Sequence, residues 1–374
     1  LNRRTPALAL AALAVVVSSA GAAQASPTPK PTPATAKPTP TPTQSDGTLQ
    51  ILTYRGYAEY GGTSPKVNWT GTFEKATGCR IARLDQVQTP GEMAARLGER
   101  SYDVVSAGPG LAGRLIADKQ VLPIELAKVD GYAELGKSLR DLTTSGGKVY
   151  GVPYLWGSHE YLYDTSRIKA PGMDQVFASP KAALKDDPLA IADAALAAGK
   201  SGSPYSLTEA ELDKAMEMLG RQGERVYWDD PLDVVTGFAT GRLDFAQATP
   251  YLRLLLQTAG KPVKTVSSAR TTGWVDSWML GASGANLDCA YRWLSWTASA
   301  DTQRAAAAWV GLAPANDKAC KGKARRVCEA YGVGKKSRFD RIAFAVRPPG
   351  DCRPQERECT DYDTWEDRWT DLVS

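Results

Sequence analysis

Apolar and polar positions along most of this chain alternate in two rhythms. Leu49, Ile51 and Leu52 open a strand, and the loop Tyr54, Arg55, Gly56, Tyr57, Ala58, Glu59, Tyr60 follows it. A helix is expected over Val67 to Ala76, closed by Gly78, the residue type that most readily ends a helix. Strands at Arg80 to Leu84 and Tyr102 to Val105 then alternate with helices near Glu92 to Leu97 and running through Leu115. Strands and helices at this spacing imply a parallel, helix-covered sheet, in which ligands bind beyond the carboxyl ends of the strands. Tyr57, Glu59, Tyr60 and the loop after Val105 are therefore candidates to line a site.

Further on, Val152 to Tyr163 is dense in aromatic residues. Lys185, Asp186, Asp187 and Pro188 precede an apolar helix to about Ala198, where either acid suits a helix cap. A second helix is expected over Leu207 to Leu219 with Ser206 as its cap, then an aromatic and acidic cluster at Tyr227 to Asp230, and a short strand over Gly241 to Ala246. The segment Thr271 to Leu280 reads as extended. Residues i and i+2 of a strand share a face, so Trp274 and Asp276 present an indole and a carboxylate to the same space. A cation carrying methylene groups needs that combination, although a buried Trp and a capping Asp also fit the pattern.

The first 46 residues follow neither rhythm. Arg3 and Arg4, an apolar run from Ala7 to about Val17, and Ala23-Gln24-Ala25 match a secretory signal, which assigns 1–25 to a signal peptide. The apolar run is short for a membrane span, which needs about 20 residues. Residues 26–46, almost all Pro, Thr, Ala, Lys and Ser, form a linker that cannot bury a core. The expected product is exported, periplasmic or extracellular at the cell surface. No cysteine precedes Cys79, so there is no lipobox, and an uncleaved apolar segment or release remain alternatives.

Setting aside Arg3, Arg4, Lys30, Lys37 and Asp46 lowers the formal net charge from +4 to +1. That excludes the basic footprint of a nucleic-acid binder. Cys79, Cys289, Cys320, Cys328, Cys352 and Cys359 make an even number in an exported chain, which suggests three disulfides. Short loops favour Cys320 with Cys328 and Cys352 with Cys359, leaving Cys79 for Cys289. Zinc is the alternative, but neither a CxxC pair nor a Cys/His cluster supports it. Gly108 to Gly113 matches GxGxxG and admits a dinucleotide reading. Its place after the third strand, in an exported chain, favours a tight turn at a cleft rim.

The only histidine is His159 and no GxSxG occurs, which excludes the usual nucleophilic hydrolases. A carbohydrate-active enzyme with paired carboxylates, and an adhesion or scavenging module on a stalk, are the alternatives to a binder. Acids beside aromatics recur at three places in a near-neutral chain, and that recurrence points to a small cation.

The region 48–374 resembles the periplasmic spermidine/putrescine-binding proteins of ABC transporters. The likeness is carried in order by Gly56-Tyr57-Ala58-Glu59-Tyr60, Phe73 to Gly78, Tyr102-Asp103-Val104-Val105, Val152 to Gly157, Asp186-Asp187, and Gly273-Trp274-Val275-Asp276-Ser277. The resemblance implies an α/β fold of the periplasmic binding protein-like II type: two α/β lobes with mixed sheets, joined by crossing strands around a central cleft. Lobe 1 is expected at 47–154 plus 276–318, and lobe 2 at 155–275 plus 319–374. The implied role is a monomeric, non-catalytic receptor without cofactor or metal, handing a polyamine or other small organic cation to an ABC transporter permease. Trp274 would be a stacking wall and Asp276 the partner of an ammonium; Tyr57 and Tyr60 fall on aromatic contacts, Asp187 on a carboxylate for a terminal amine, and Gln355 on a polar contact. The chain departs from the polyamine pattern at Gly108, Gly110, Ala190 and about Thr249, which leaves open a solute other than a polyamine.

Overall fold

The computed structural model describes residues 47–221, 225–268, 270–346 and 359–374. The segments expected to be signal and linker, together with Gln355, lie outside them. Two mixed sheets organise the described chain. In the first, Thr48–Tyr54 lies parallel to both Arg80–Val87 and Val104–Ala107. The long strand Thr271–Gly281 runs antiparallel between Val104–Ala107 and Gly151–Ser158. The second sheet has five strands in the order Val226–Trp228, Ala182–Lys185, Phe245–Ala248, Glu160–Asp164, Val263–Thr265.

Each sheet packs its own apolar residues, and the chain crosses from one sheet to the other twice. On the long strand, Val275 belongs to the first core while Trp274 packs on the second. The preceding crossing does the same, with Trp156 in the first core and Tyr161 in the second. The first core is also discontinuous in sequence, since Trp293, Leu294, Ala324, Val327 and Tyr331 join Leu49, Ile51 and Phe73 there. The second takes Ala343, Ala345, Trp365 and Trp369 from the end of the chain.

Local signals set most element ends. Thr70–Thr77 is helical and closes on Gly78, whose φ of 75° suits a residue without a β-carbon. The helix Pro90–Glu99 starts with the reciprocal Thr89 and Glu92 capping box. Ser206 does not cap its helix: Glu209–Gly220 is capped by Thr208, because Glu211 returns the bond to the Thr208 backbone. The strand expected over Gly241 to Ala246 is Phe245–Ala248, and Gly241, with φ 72°, ends the helix Pro231–Thr240 instead.

Two disulfides join described residues, Cys79 to Cys289 and Cys320 to Cys328, as the loop lengths favoured. Cys359 is also disulfide-bonded, and Cys352 lies outside the described residues. No helix among the described residues is long and apolar enough to cross a membrane.

Candidate functional site

The crossing strand carries the candidate site. Trp274 Nε1 donates to Asp276 Oδ2 at 3.1 Å, so the indole and the carboxylate do face the same space. The hydroxyl of Tyr57, delivered by the loop after the first strand, donates to the same oxygen. Tyr57 is held in turn by Tyr154, whose hydroxyl donates to its carbonyl at 3.0 Å. Behind them Tyr57, Tyr154, Trp278 and Trp293 meet edge to face at 5.2 to 5.7 Å between ring centres, which ties the carboxylate's support to the first core.

Two glycines keep the acid and the ring open to the cleft. A β-carbon at Gly157 would stand 2.3 Å from Cζ2 of Trp274, leaving the indole no room. A β-carbon at Gly108 would press on Asp276 Oδ1 at 3.1 Å. The same contact argues against a dinucleotide at the GxGxxG segment, since a pyrophosphate there would meet a carboxylate. At Gly110 the space for a side chain is taken by the hydroxyl of Tyr362, 3.0 Å from a β-carbon built there, so the C-terminal helix supplies an aromatic group.

Tyr57, Gly108, Gly110, Trp274, Asp276 and Tyr362 line a cavity of about 490 Å³, within the range of small-molecule sites. Asp187, Ala190, Lys185, His159, Asp229 and Asp230 line it as well. A larger cavity of about 850 Å³ contains four arginines that are already engaged. Arg253 pairs with Glu160, and Arg270, Arg338 and Arg341 donate to backbone carbonyls. The smaller cavity sets Asp187, Asp229, Asp230 and Asp276 beside Trp274 and is the candidate site.

Burial raises the Asp276 carboxyl to about 6, against the opposing pull of Tyr57, Lys185 and Trp274. Among the described residues no cation lies within hydrogen-bond reach of it. Asp187 is used twice: Oδ1 accepts from Leu189 N at 2.9 Å, capping a helical turn, and Oδ2 accepts from Lys185 Nζ at 3.1 Å. Asp187 thus caps a turn, and its other oxygen holds the protein's own ammonium. Burial works against the Lys185 ammonium, but Asp187, then Asp276 and Asp229, hold it above its ordinary range.

His159 is held by structural hydrogen bonds and still reaches the site. Thr272 Oγ1 donates to Asp193 Oδ1 at 2.8 Å and accepts the Nδ1 proton of His159 at 2.7 Å. Burial first, then Lys185, lowers this imidazole to about 3, so the ring that packs on Trp274 at 4.9 Å is neutral. Burial also raises Asp193 to about 7.

Three expected contacts, and the departure at Thr249, fall elsewhere or beyond view. Tyr60 is 58 % exposed, its ring turned against Gly62, and it does not line the cavity. Glu59 is buried beneath the loop, where its carbonyl takes backbone bonds from Trp69 and Thr70. Thr249 caps the helix Pro250–Thr258 and is not in the cavity wall. Gln355 lies outside the described residues. Sequence reasoning missed Lys185 as a site residue, although a period of two places it on the face of Asp187.

A family model of bacterial extracellular solute-binding proteins matches residues 68–324. Among solved structures, a putative spermidine/putrescine ABC transporter from Listeria monocytogenes is 14% identical, with 87% of this chain and 98% of that one covered at a TM-score of 0.67. The Atu4243-GABA receptor is 18% identical, covering 87% and 98% at 0.67. The binding protein MotA from A. tumefaciens B6, solved in complex with glucopine, is 16% identical, covering 87% and 99% at 0.65. At these identities the likeness establishes the periplasmic binding protein type II fold.

Proposed function

The chain belongs to the bacterial extracellular solute-binding proteins, and from that premise we propose that it is the receptor of an ABC importer whose cleft closes on a small organic cation. As a member of that family it is a binder and not an enzyme, which sets aside the paired-carboxylate glycosidase. The observation that supports the cation is Asp276, a buried carboxylate that shares its oxygen with two neutral donors and faces the cavity beside an indole. An ammonium set against it would satisfy the charge, and its methylenes would lie on Trp274. A polyamine meets this description and is what the resemblance implies. Structures of the same fold are described as a GABA receptor and a glucopine complex, so the fold by itself does not select a polyamine. The permease is the remaining proposed partner.

Calorimetry with a panel of ammonium-bearing solutes tests the reading, and mass spectrometry of what co-purifies names candidates for the panel. Trp274→Ala is expected to weaken the bound member by about 1.5 to 3 kcal/mol, in the range of desolvated cation and ring contacts. Unchanged affinity, or no binding anywhere in the panel, would remove the reading.

The proton on Asp276 gives a second test. The cation needs the ionised form, and the free carboxyl titrates near 6. Affinity is therefore expected to hold above pH 7 and to fall about tenfold between pH 7 and pH 5, with proton release on binding at the lower pH. Affinity that stays flat over this window would place the cation away from Asp276.

A further inference from the structure

We infer that Lys185 is a tethered counter-cation filling the second ammonium place of the cleft, so that the ligand carries one ammonium group and not two. The inference rests on the cation reading above and narrows it to a class. Four carboxylates line the cavity: Asp187, Asp229, Asp230 and Asp276. Asp229 and Asp230 are exposed, and Asp230 also caps the helix Pro231–Thr240 through Leu232 N at 2.9 Å. That leaves two shielded acids, Asp187 at the Lys185 ammonium and Asp276 at the indole Nε1.

Asp187 is taken. Lys185 Nζ stands 3.1 Å from Asp187 and 5.7 Å from the centre of the Trp274 ring, the arrangement a ligand's ammonium would adopt. Its backbone is fixed at the end of the strand Ala182–Lys185, where Gln247 Oε1 accepts its N–H at 2.8 Å. A group held on the chain in this way acts at a high effective concentration that a free diamine must outcompete. Displacing it would also leave two like charges beside one carboxylate, which opposes binding. Asp276, by contrast, meets only neutral donors at hydrogen-bond distance and remains to receive one external ammonium. Ala190, in the cavity wall, adds no further acid for a second amine.

The test compares 1,5-diaminopentane with n-pentylamine, which differ by one ammonium group, on the full chain at pH 7.5. The wild-type protein is expected to bind the monoamine at least as tightly as the diamine. In Lys185→Met, which keeps the length of the side chain without its charge, the ratio of diamine to monoamine affinity is expected to rise at least tenfold. Lys185→Arg, which keeps the charge, should stay near the wild-type ratio. A wild-type preference for the diamine beyond tenfold would overturn the inference even if the Met variant did not fold. So would an unchanged ratio in a folded Met variant, with the cation site at Asp276 left standing. Binding of neither amine to wild type or variant would instead remove the cation reading and this inference with it.

Discussion

Asp276→Asn is expected to weaken an ammonium-bearing ligand by about 2 to 4 kcal/mol, roughly thirtyfold to a thousandfold, because it removes one partner of a desolvated charge pair. The substitution preserves size, and the amide oxygen can still accept from Tyr57 and Trp274, so the loss reports charge and not collapse of the wall. Stability should move the other way. The folded carboxyl titrates near 6 against an ordinary 3.8, so the folded state holds that proton more tightly than the unfolded chain does. Folding stability from this group is thus lost as pH rises from about 4 to about 6, and by pH 7 the cost is on the order of 3 kcal/mol at most. The Asn variant should therefore keep or raise its unliganded melting temperature at pH 7 while losing affinity. Calorimetry and thermal unfolding on the same samples separate the cases: a fall in both would mark Asp276 as structural, and a fall in neither would take it out of the site.

The pairing of Trp274 with Asp276 was legible because it needs only the period of a strand, a local property that the fold did not override. Tyr57 was legible as a cleft residue for a different reason, its place just after a strand of a parallel pair. What the pattern could not give was its partner: the bond from Tyr57 to Asp276 spans 219 residues and exists only because the chain returns to the first sheet as its long antiparallel strand. Lys185 was hidden by a competing local reading. The run Lys-Asp-Asp-Pro signals a helix start, and once Asp187 is taken as a cap the lysine two residues before it looks like solvent-facing charge. The strand Ala182–Lys185 ends at that lysine, and the strand period then turns it toward Asp187. Tyr60 shows the opposite error, since it follows Tyr57 in a loop with no fixed period, and the loop turns it outward.

The disulfide between Cys79 and Cys289 is expected to contribute more to stability than any other single link described here. It closes a separation of 210 residues and therefore encloses the whole second sheet, which is inserted between the two stretches that build the first core. Cys79 follows the glycine that ends one helix and Cys289 is buried in the helix Leu287–Ala298, so the bond staples the two stretches together. The chain-entropy argument gives about 5 kcal/mol as an upper value for a loop of this size, and about 2.5 kcal/mol for Cys320 with Cys328, separated by 8. Cys79→Ser with Cys289→Ser should accordingly lower the denaturation midpoint about twice as far as Cys320→Ser with Cys328→Ser. Neither pair lines the cavity, so the folded fraction of each variant should bind its ligand with wild-type affinity. A larger loss from the short loop would show that the first core holds its two stretches together without the staple, and that hydrophobic contacts among Phe73, Trp293 and their neighbours carry that join.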